Sequence, residues 1–359
     1  MPLIPFSLAR RLAPALQPLR WLCACGWLRE ADVDLCLRLL HPVLRLQRVF
    51  AQVEARRWVA EDMLALTLRC NGNPHGWRAG QHVQLYLQQD GVRHGRSYSL
   101  TAVGRDGRIE LAIKRQPGGR LSNMLLDRLA VGQVVELAPA FGELQWPDDG
   151  RAVLLAAAGS GITPLLGLLR DALARGFSAP ITLLHQVRRQ GQRAFVEELQ
   201  VLAERHRNLQ LCWVVSGEPG GRLRREQFDE IGGEHLIACG PRGFVEQLQG
   251  WWTRSGTLQV ESFSPLQPLA ADDVRDVQLR FARSGQQVQG SSQLSLLEQA
   301  EASGLRPAHG CRQGICASCT CTLLGGVVRD LRSGALFAEP NQPIRLCVSA
   351  PHGDVEIDL

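Results

Sequence analysis

Near the end of the chain, Cys311, Cys316 and Cys319 fall within the stretch His309-Gly310-Cys311-Arg312-Gln313-Gly314-Ile315-Cys316-Ala317-Ser318-Cys319, and Cys347 follows at a distance. C-x4-C-x2-C with a remote fourth cysteine is the spacing that holds a [2Fe–2S] cluster. Four thiolates must converge on two irons, so a tight loop has to wrap three of them around one side. Gly310 and Gly314 let the backbone approach the sulfides and aim N–H groups at them. Structural zinc sites pair their cysteines as C-x2-C twice, and here the second pair is missing. Cys311, Cys316, Cys319 and Cys347 are therefore the expected metal ligands. Cys321 lies outside the pattern and reads as a small buried residue on a strand Thr320–Leu324.

A chain of 359 residues has material for two or three domains. Its eleven cysteines are an odd count with metal-type spacing, and no secretory signal is evident, since Arg20 interrupts the apolar run of the first residues. That usage fits a reducing cytoplasm better than a disulfide framework. The formal charge is only +5, and the arginines are scattered rather than clustered, which argues against a nucleic-acid surface. Lys114 is the sole lysine among forty basic residues, a skew that reads as compositional. No apolar run reaches the length needed to cross a bilayer.

Residues 1–48 look helical and oily. Arg10, Arg11, Arg20 and Arg29 occur in the first 29 positions without a single acid, interleaved with Leu12, Leu16, Leu19, Trp21, Leu22, Trp27 and Leu28. Pro14 and Pro18 interrupt any long helix there. Val33, Leu37, Leu40 and Leu44 then recur at helical spacing. Two readings stand side by side: an extension packed on the next domain, or a basic amphipathic surface that meets anionic lipid or a membrane-bound partner.

From residue 49 to 148 the period changes to two. Short alternating runs at Val49–Val53, Met63–Leu68, His82–Leu87, Arg96–Thr101, Ile109–Lys114 and Gln133–Leu137 predict a small antiparallel barrel, with a helix from Arg120 to Leu129. On one strand, Arg96-Ser97-Tyr98-Ser99 sets a guanidinium and a phenol on the same face. Gly118-Gly119-Arg120-Leu121-Ser122-Asn123 is a glycine turn opening a helix, where free backbone N–H groups can take a phosphate.

Residues 149–262 alternate strand and helix, the pattern of a parallel doubly wound sheet. Its first strand, Ala152–Ala157, runs into Gly159-Ser160-Gly161-Ile162-Thr163-Pro164. The two glycines are read as letting a pyrophosphate approach a helix N-terminus. Ala238-Cys239-Gly240-Pro241 marks a second strand end at the carboxyl edge of the sheet. Residues 263–273 have the composition of a linker. Residues 274–359 predict a small α+β unit with the cysteine loop inserted after its helix.

These motifs together resemble ferredoxin–NADP reductase-type flavoproteins with a plant-type ferredoxin fused at the C-terminus. The resemblance spans residues 49–359. It rests on Arg96-x-Tyr98-Ser99, Gly119-x-x-Ser122, Gly159-x-Gly161-Ile162-Thr163-Pro164, Cys239-Gly240-Pro241, Glu261-Ser262-Phe263 and the four cluster cysteines. It implies a β-barrel FAD domain, a doubly wound NAD(P) domain and a β-grasp ferredoxin. Arg96, Gly119, Leu121 and Ser122 would then hold the FAD pyrophosphate. Tyr98 would stack on the isoalloxazine, and Ser99 would hydrogen-bond the flavin near N5. Gly159, Gly161 and Thr163 would hold the pyridine dinucleotide pyrophosphate, with Cys239, Gly240 and Pro241 beside the nicotinamide and Glu261 and Phe263 closing over the flavin. Tyr98, Ser99 and Cys239 are the catalytic candidates. More narrowly, the chain is similar to the reductase partners of bacterial fatty-acyl desaturases, with phthalate- or benzoate-oxygenase reductases the runners-up.

The parts suit one another. A pyridine nucleotide gives up two electrons as hydride, a cluster takes one at a time, and a flavin can mediate. The expected reaction is NAD(P)H-dependent electron transfer to an external oxygen-activating iron enzyme. A non-enzymatic iron–sulfur sensor would have lost its flavin residues, and a haem-containing oxidase would need a globin that 48 residues cannot form. Arg188 and Arg189, after the second strand of the nucleotide domain, could grip a 2′-phosphate, which tilts the expectation to NADPH. The alternative for both is a solvated surface arginine.

Overall fold

The computed structural model describes residues 3–89, 92–218, 221–263 and 274–359. The chain forms two compact units, one ending at Phe263 and the other occupying the C-terminal remainder. The expected linker, residues 263–273, falls outside the described residues except for Phe263.

Three short helices open the first unit: α1 (Phe6–Leu12), α2 (Gln17–Ala24) and α3 (Glu30–Leu40). Pro18 sits in the first turn of α2, where its missing N–H costs no intrahelical bond. Ala9, Leu16, Leu37, Val43, Leu44 and Leu46 bury a small core that continues onto Phe50 and Val134. Arg20 donates to the Leu46 carbonyl at 2.7 Å and to Asn73 Oδ1 at 2.9 Å, and Asn71 reaches the Val43 carbonyl at 2.8 Å. The packed-extension reading therefore holds for the inner face. The outer face keeps Trp21 at 62% and Trp27 at 77% exposure, with Leu35 and Leu39 also exposed.

Six strands follow: β1 (Val49–Ala60), β2 (Met63–Cys70), β3 (His82–Gln89), β4 (Val92–Val103), β5 (Arg108–Lys114) and, after helix α4 (Arg120–Asp127), β6 (Val134–Leu137). They close as a barrel in the order β1-β2-β5-β4-β3-β6. Inward residues such as Leu66, Leu85, Leu100 and Leu111 fill it completely. β1 runs seven residues beyond its expected end, through Glu54-Ala55-Arg56-Arg57-Trp58-Val59-Ala60. Register shifts at Val53/Ala55 and Trp58/Ala60 explain why alternation fails there.

The parallel sheet is ordered β11-β10-β7-β8-β9, from β7 (Val153–Ala158), β8 (Ile181–Val187), β9 (Leu209–Val215), β10 (His235–Gly240) and β11 (Leu258–Ser262). Helices α5 (Ile162–Ala174), α6 (Val196–Arg205), α7 (Arg225–Glu230) and α8 (Arg242–Trp251) flank or connect these strands. α5 is apolar on nearly every side because it is wedged between the sheet and the barrel. A Cβ on Gly167 would overlap the Leu100 carbonyl and stand 2.7 Å from the Gly80 nitrogen, so glycine sets how closely the helix meets β4. Arg170, on the same helix, bonds Glu110 of the barrel at 2.7 Å and Glu198 of α6 at 2.6 Å. These contacts lock the two halves of the first unit together.

The second unit holds a six-stranded mixed sheet: β12 (Asp276–Phe281), β13 (Gln286–Ser291), β14 (Thr320–Asp330), β15 (Leu336–Phe337), β16 (Gln342–Arg345) and β17 (Ser349–Ile357), with helix α9 (Leu296–Ala302). Along β12, Val277, Leu279 and Phe281 point inward and their neighbours outward. Ser295 caps α9, accepting from the Glu298 N–H at 3.2 Å while Glu298 accepts from the Ser295 N–H at 3.0 Å. Among the described residues no helix is long and apolar enough to cross a membrane.

Candidate active site and cluster loop

On β4, Arg96 is exposed and donates to the Gly95 carbonyl at 2.8 Å, leaving guanidinium N–H groups to spare for an anion. Tyr98 is half-buried against the barrel core, and burial pushes its phenol pKa upward. Downstream, Gly119 is the N-cap of α4 and offers no side chain, so the first-turn N–H groups are left for a ligand. A Cβ on Gly119 would lie 2.6 Å from Ser122 Oγ and 2.9 Å from Gln116 Cβ; only glycine leaves this turn open. Leu121 is buried beneath it in the barrel core. A free guanidinium, an uncapped helix start and an aromatic ring on one barrel fit a flavin dinucleotide.

Ser99 faces the parallel sheet. The Thr163 hydroxyl, at the start of α5, donates to the Ser160 carbonyl at 3.0 Å and lies 3.1 Å from Ser99 Oγ, from which it accepts. His82, the cross-strand neighbour of Ser99, brings Nε2 to 3.4 Å from Ser99 Oγ and 3.1 Å from Glu261 Oε1. Glu261 lies beside Cys239 in the β10–β11 register, and the Phe263 N–H donates to the Gly240 carbonyl at 3.0 Å. Motifs far apart in sequence thus meet at one place. Cys239 is fully buried; desolvation first, and the Glu261 charge second, push its thiol pKa well up, so it is present as the neutral thiol.

The glycine turn differs in detail from its expected role. Gly159 adopts φ +55°, which a side chain disfavours. Gly161 has an ordinary φ of −60°. A Cβ there would overlap the Cys239 carbonyl and stand 2.8 Å from the Gly240 nitrogen. Gly161 is therefore required by the close approach of two strand ends, before any pyrophosphate arrives. Pro164 sits third in α5, inside the first turn that its ring tolerates, rather than starting it.

Two residues that the sequence left unassigned support this turn. Lys114 Nζ lies 3.4 Å from where a Gly159 Cβ would be and 3.5 Å from Asp62 Oδ2, setting a cation beside the turn. Its uniqueness in the chain was the available signal. His185 Nε2 faces the Gly159 carbonyl at 3.0 Å, and burial lowers the imidazole pKa to about 4, so the ring is a neutral donor. Arg188 and Arg189 follow β8 as exposed side chains. Arg189 is paired to Glu61 of the barrel at 2.6 Å.

In the second unit the cysteine loop gathers its thiols. The N–H groups of Gln313, Ile315 and Cys316 each donate to Cys311 Sγ at 3.3 Å, and the Gly314 N–H donates to Cys347 Sγ at 3.2 Å. The Cys311 N–H donates to Cys316 Sγ at 3.2 Å, and Cys319 and Cys347 are packed in one core. Gly314 takes φ +72°, and a Cβ there would lie 2.6 Å from Val348. Four convergent thiols inside a cage of backbone donors suit a [2Fe–2S] cluster. Cys321 is half-buried on β14, its thiol donating to the Asp358 carbonyl at 3.3 Å, away from that set.

Three family models match: an oxidoreductase FAD-binding domain over residues 51–146, an oxidoreductase NAD-binding domain over 155–250 and a 2Fe-2S iron-sulfur cluster binding domain over 279–352. An NADPH oxidoreductase of Mycobacterium tuberculosis is 32% identical over 90% of this chain and 87% of its own length. The chain belongs to the ferredoxin–NADP reductase-type oxidoreductases that carry FAD-, NAD- and [2Fe–2S]-binding domains. Within this family, the phthalate 4,5-dioxygenase oxygenase reductase subunit of Pseudomonas putida is 27% identical over 77% of this chain and 85% of its own. The solved phthalate dioxygenase reductase shares the fold, with a TM-score of 0.61 and 24% identity over 87% of this chain and 98% of that one.

When bound, FAD accepts a hydride and returns its electrons singly, and the cluster carries one electron at a time. The protein's part is placement. Gly161, Cys239 and Gly240 meet at the carboxyl edge of the sheet, where a nucleotide would lie, while Ser99, Thr163, His82 and Glu261 set hydrogen-bonding groups beside it.

Proposed function

We propose that this reductase delivers electrons from NADPH, through FAD and the cluster, to a membrane-bound oxygen-activating iron enzyme of the fatty-acyl desaturase class. The supporting observation is the outer face of the N-terminal helices, where Trp21, Trp27, Leu35 and Leu39 are exposed alongside Arg11 and Arg38. Indole rings and leucines sit well at the headgroup boundary, and arginines near an anionic leaflet contribute about 1 kcal/mol each. Of the four arginines in the first 29 positions, Arg20 is spent inside the protein, Arg10 bonds the Asp106 carbonyl and Arg29 pairs with Asp32 at 2.9 Å. The attraction is therefore peripheral, reversible and salt-sensitive, at the cytoplasmic face of the membrane.

A soluble oxygenase as acceptor is the second reading, favoured by the likeness to the phthalate 4,5-dioxygenase reductase subunit. Because the inner face of residues 1–48 is part of the packed core, point changes separate the two readings better than truncation. Trp21→Gln with Trp27→Gln should leave reduction of a small artificial acceptor unchanged and abolish flotation with anionic vesicles at low salt. Wild-type protein that stays in the soluble fraction would select the soluble oxygenase.

A further inference from the structure

His82 belongs to no motif that identifies the family, yet it touches both polar groups that converge on the flavin side of the interdomain crevice. It is 2% exposed. Its ring is stacked against Phe141 and meets Phe263 edge-on, each at 5.7 Å between centroids. The backbone fixes it from the same direction, with the His82 N–H donating to the Phe141 carbonyl at 2.7 Å and the Phe141 N–H returning to His82 at 2.9 Å. Nε2 lies 3.1 Å from Glu261 Oε1 and 3.4 Å from Ser99 Oγ. A carboxylate has only acceptors, so Nε2 must carry the hydrogen. That hydrogen points at Glu261 with Ser99 Oγ as a weaker second acceptor. Thr163 Oγ1 lies 3.1 Å from Ser99 Oγ, and its one proton is committed to the Ser160 carbonyl at 3.0 Å. The hydrogen between the two hydroxyls is therefore the Ser99 proton, which leaves Ser99 Oγ as an acceptor beside His82 Nε2.

We propose that His82 is a positioning residue for hydride transfer: it holds the Glu261 carboxylate from β11 against the barrel and fixes the place of the Ser99 hydroxyl beside it. The proposal rests on the assignment of Ser99 and Glu261 to the flavin site. A buried aromatic clamp on both sides of the ring leaves the imidazole one orientation, which is what positioning requires. Removing the ring nitrogen while keeping the ring volume frees Glu261 and Ser99 to relax by fractions of an ångström, enough to slow a transfer that depends on near-attack geometry.

The test uses the holoprotein with FAD and cluster bound and compares His82→Phe, His82→Gln, Ser99→Ala and Glu261→Gln. The readouts are the rate of flavin bleaching by NADH or NADPH, nucleotide and FAD dissociation constants, and the flavin midpoint potential. His82→Phe is expected to slow bleaching by about ten- to a hundredfold with both dissociation constants within about twofold of wild type. His82→Gln, which restores an N–H near the Nε2 position, should recover most of the rate. The flavin midpoint should shift in His82→Phe and Glu261→Gln, and the double variant should show less than the summed shift. Slow bleaching in Ser99→Ala but a normal rate in His82→Phe overturns the role of His82. A normal rate in Ser99→Ala and Glu261→Gln overturns the underlying flavin-site assignment. Loss of FAD from both His82 variants makes the residue a packing element and also overturns the proposal.

Discussion

A methyl group placed on Gly161 would collide with the carbonyl oxygen of Cys239, the last residue but one of the neighbouring strand β10. The nucleotide turn and the Cys239-Gly240 strand end are thus one packed unit. Gly161→Ala is expected to cost about 1–3 kcal/mol of stability, as overpacking does, and to weaken NAD(P)H binding by moving both sides of the crevice. Gly159→Ala meets no backbone but must hold φ +55°, so its cost should be smaller, about 1 kcal/mol. Thermal unfolding and nucleotide titration of the two variants check the ranking.

Arg189 reaches Glu61 across the two halves of the first unit. If Arg188 and Arg189 read a 2′-phosphate, Arg188→Ala with Arg189→Ala raises KM for NADPH and leaves KM for NADH nearly unchanged. Glu61→Gln releases Arg189 and should lower KM for NADPH a few-fold. Steady-state kinetics with both nucleotides decide this, and equal changes for both would remove these arginines from the specificity site.

His185 links stability to pH. Its folded pKa of about 4 lies below the ordinary value of 6.5 because burial disfavours the imidazolium. The unfolded chain therefore binds the proton first. Its contribution is complete above about pH 6.5 and is lost as pH falls toward 4, by about 3 kcal/mol. His185→Gln should flatten that part of the pH–stability curve in denaturant titrations, and an unchanged slope would mean that His185 charges without cost.

Arg170 pairs with Glu110 and Glu198 with only 19% of its side chain exposed. Arg170→Ala leaves Glu110 and Glu198 with only the more exposed Arg57, at 3.8 and 3.4 Å, and should destabilise the first unit by about 1–3 kcal/mol. Cluster absorbance monitored beside flavin fluorescence during thermal unfolding would show whether the loss is confined to the first unit.

Much of this architecture was legible where local pattern and tertiary role coincide. Val277, Leu279 and Phe281 alternate, and β12 buries that face. The cysteine spacing, Arg96-x-Tyr98-Ser99 and the two glycine turns are contiguous in sequence because each serves one strand end or loop. β11 was invisible as a strand: all five of its residues are only half-buried, so no clean period marks them. β17 contains Pro351 and Gly353, which read as turn residues, yet it pairs with both β12 and β14. His82, Lys114 and Glu61 could not be recognised from neighbours in sequence. His82 joins the site through its register with Ser99 and its reach to β11, and Lys114 through the barrel's contact with the glycine turn.

The central claim is an electron path from nicotinamide through flavin to the cysteine-held cluster. Its most direct measurement is anaerobic addition of one equivalent of NADPH or NADH to purified holoprotein, followed by optical and electron paramagnetic resonance spectra. The account predicts that the flavin is reduced and that the signal of a reduced [2Fe–2S] cluster then appears without any other reductant. In Cys316→Ser, flavin reduction should persist without that signal, because the cysteine loop lies in a separately packed unit. A wild-type protein whose flavin is reduced while its assembled cluster stays oxidised would contradict the account.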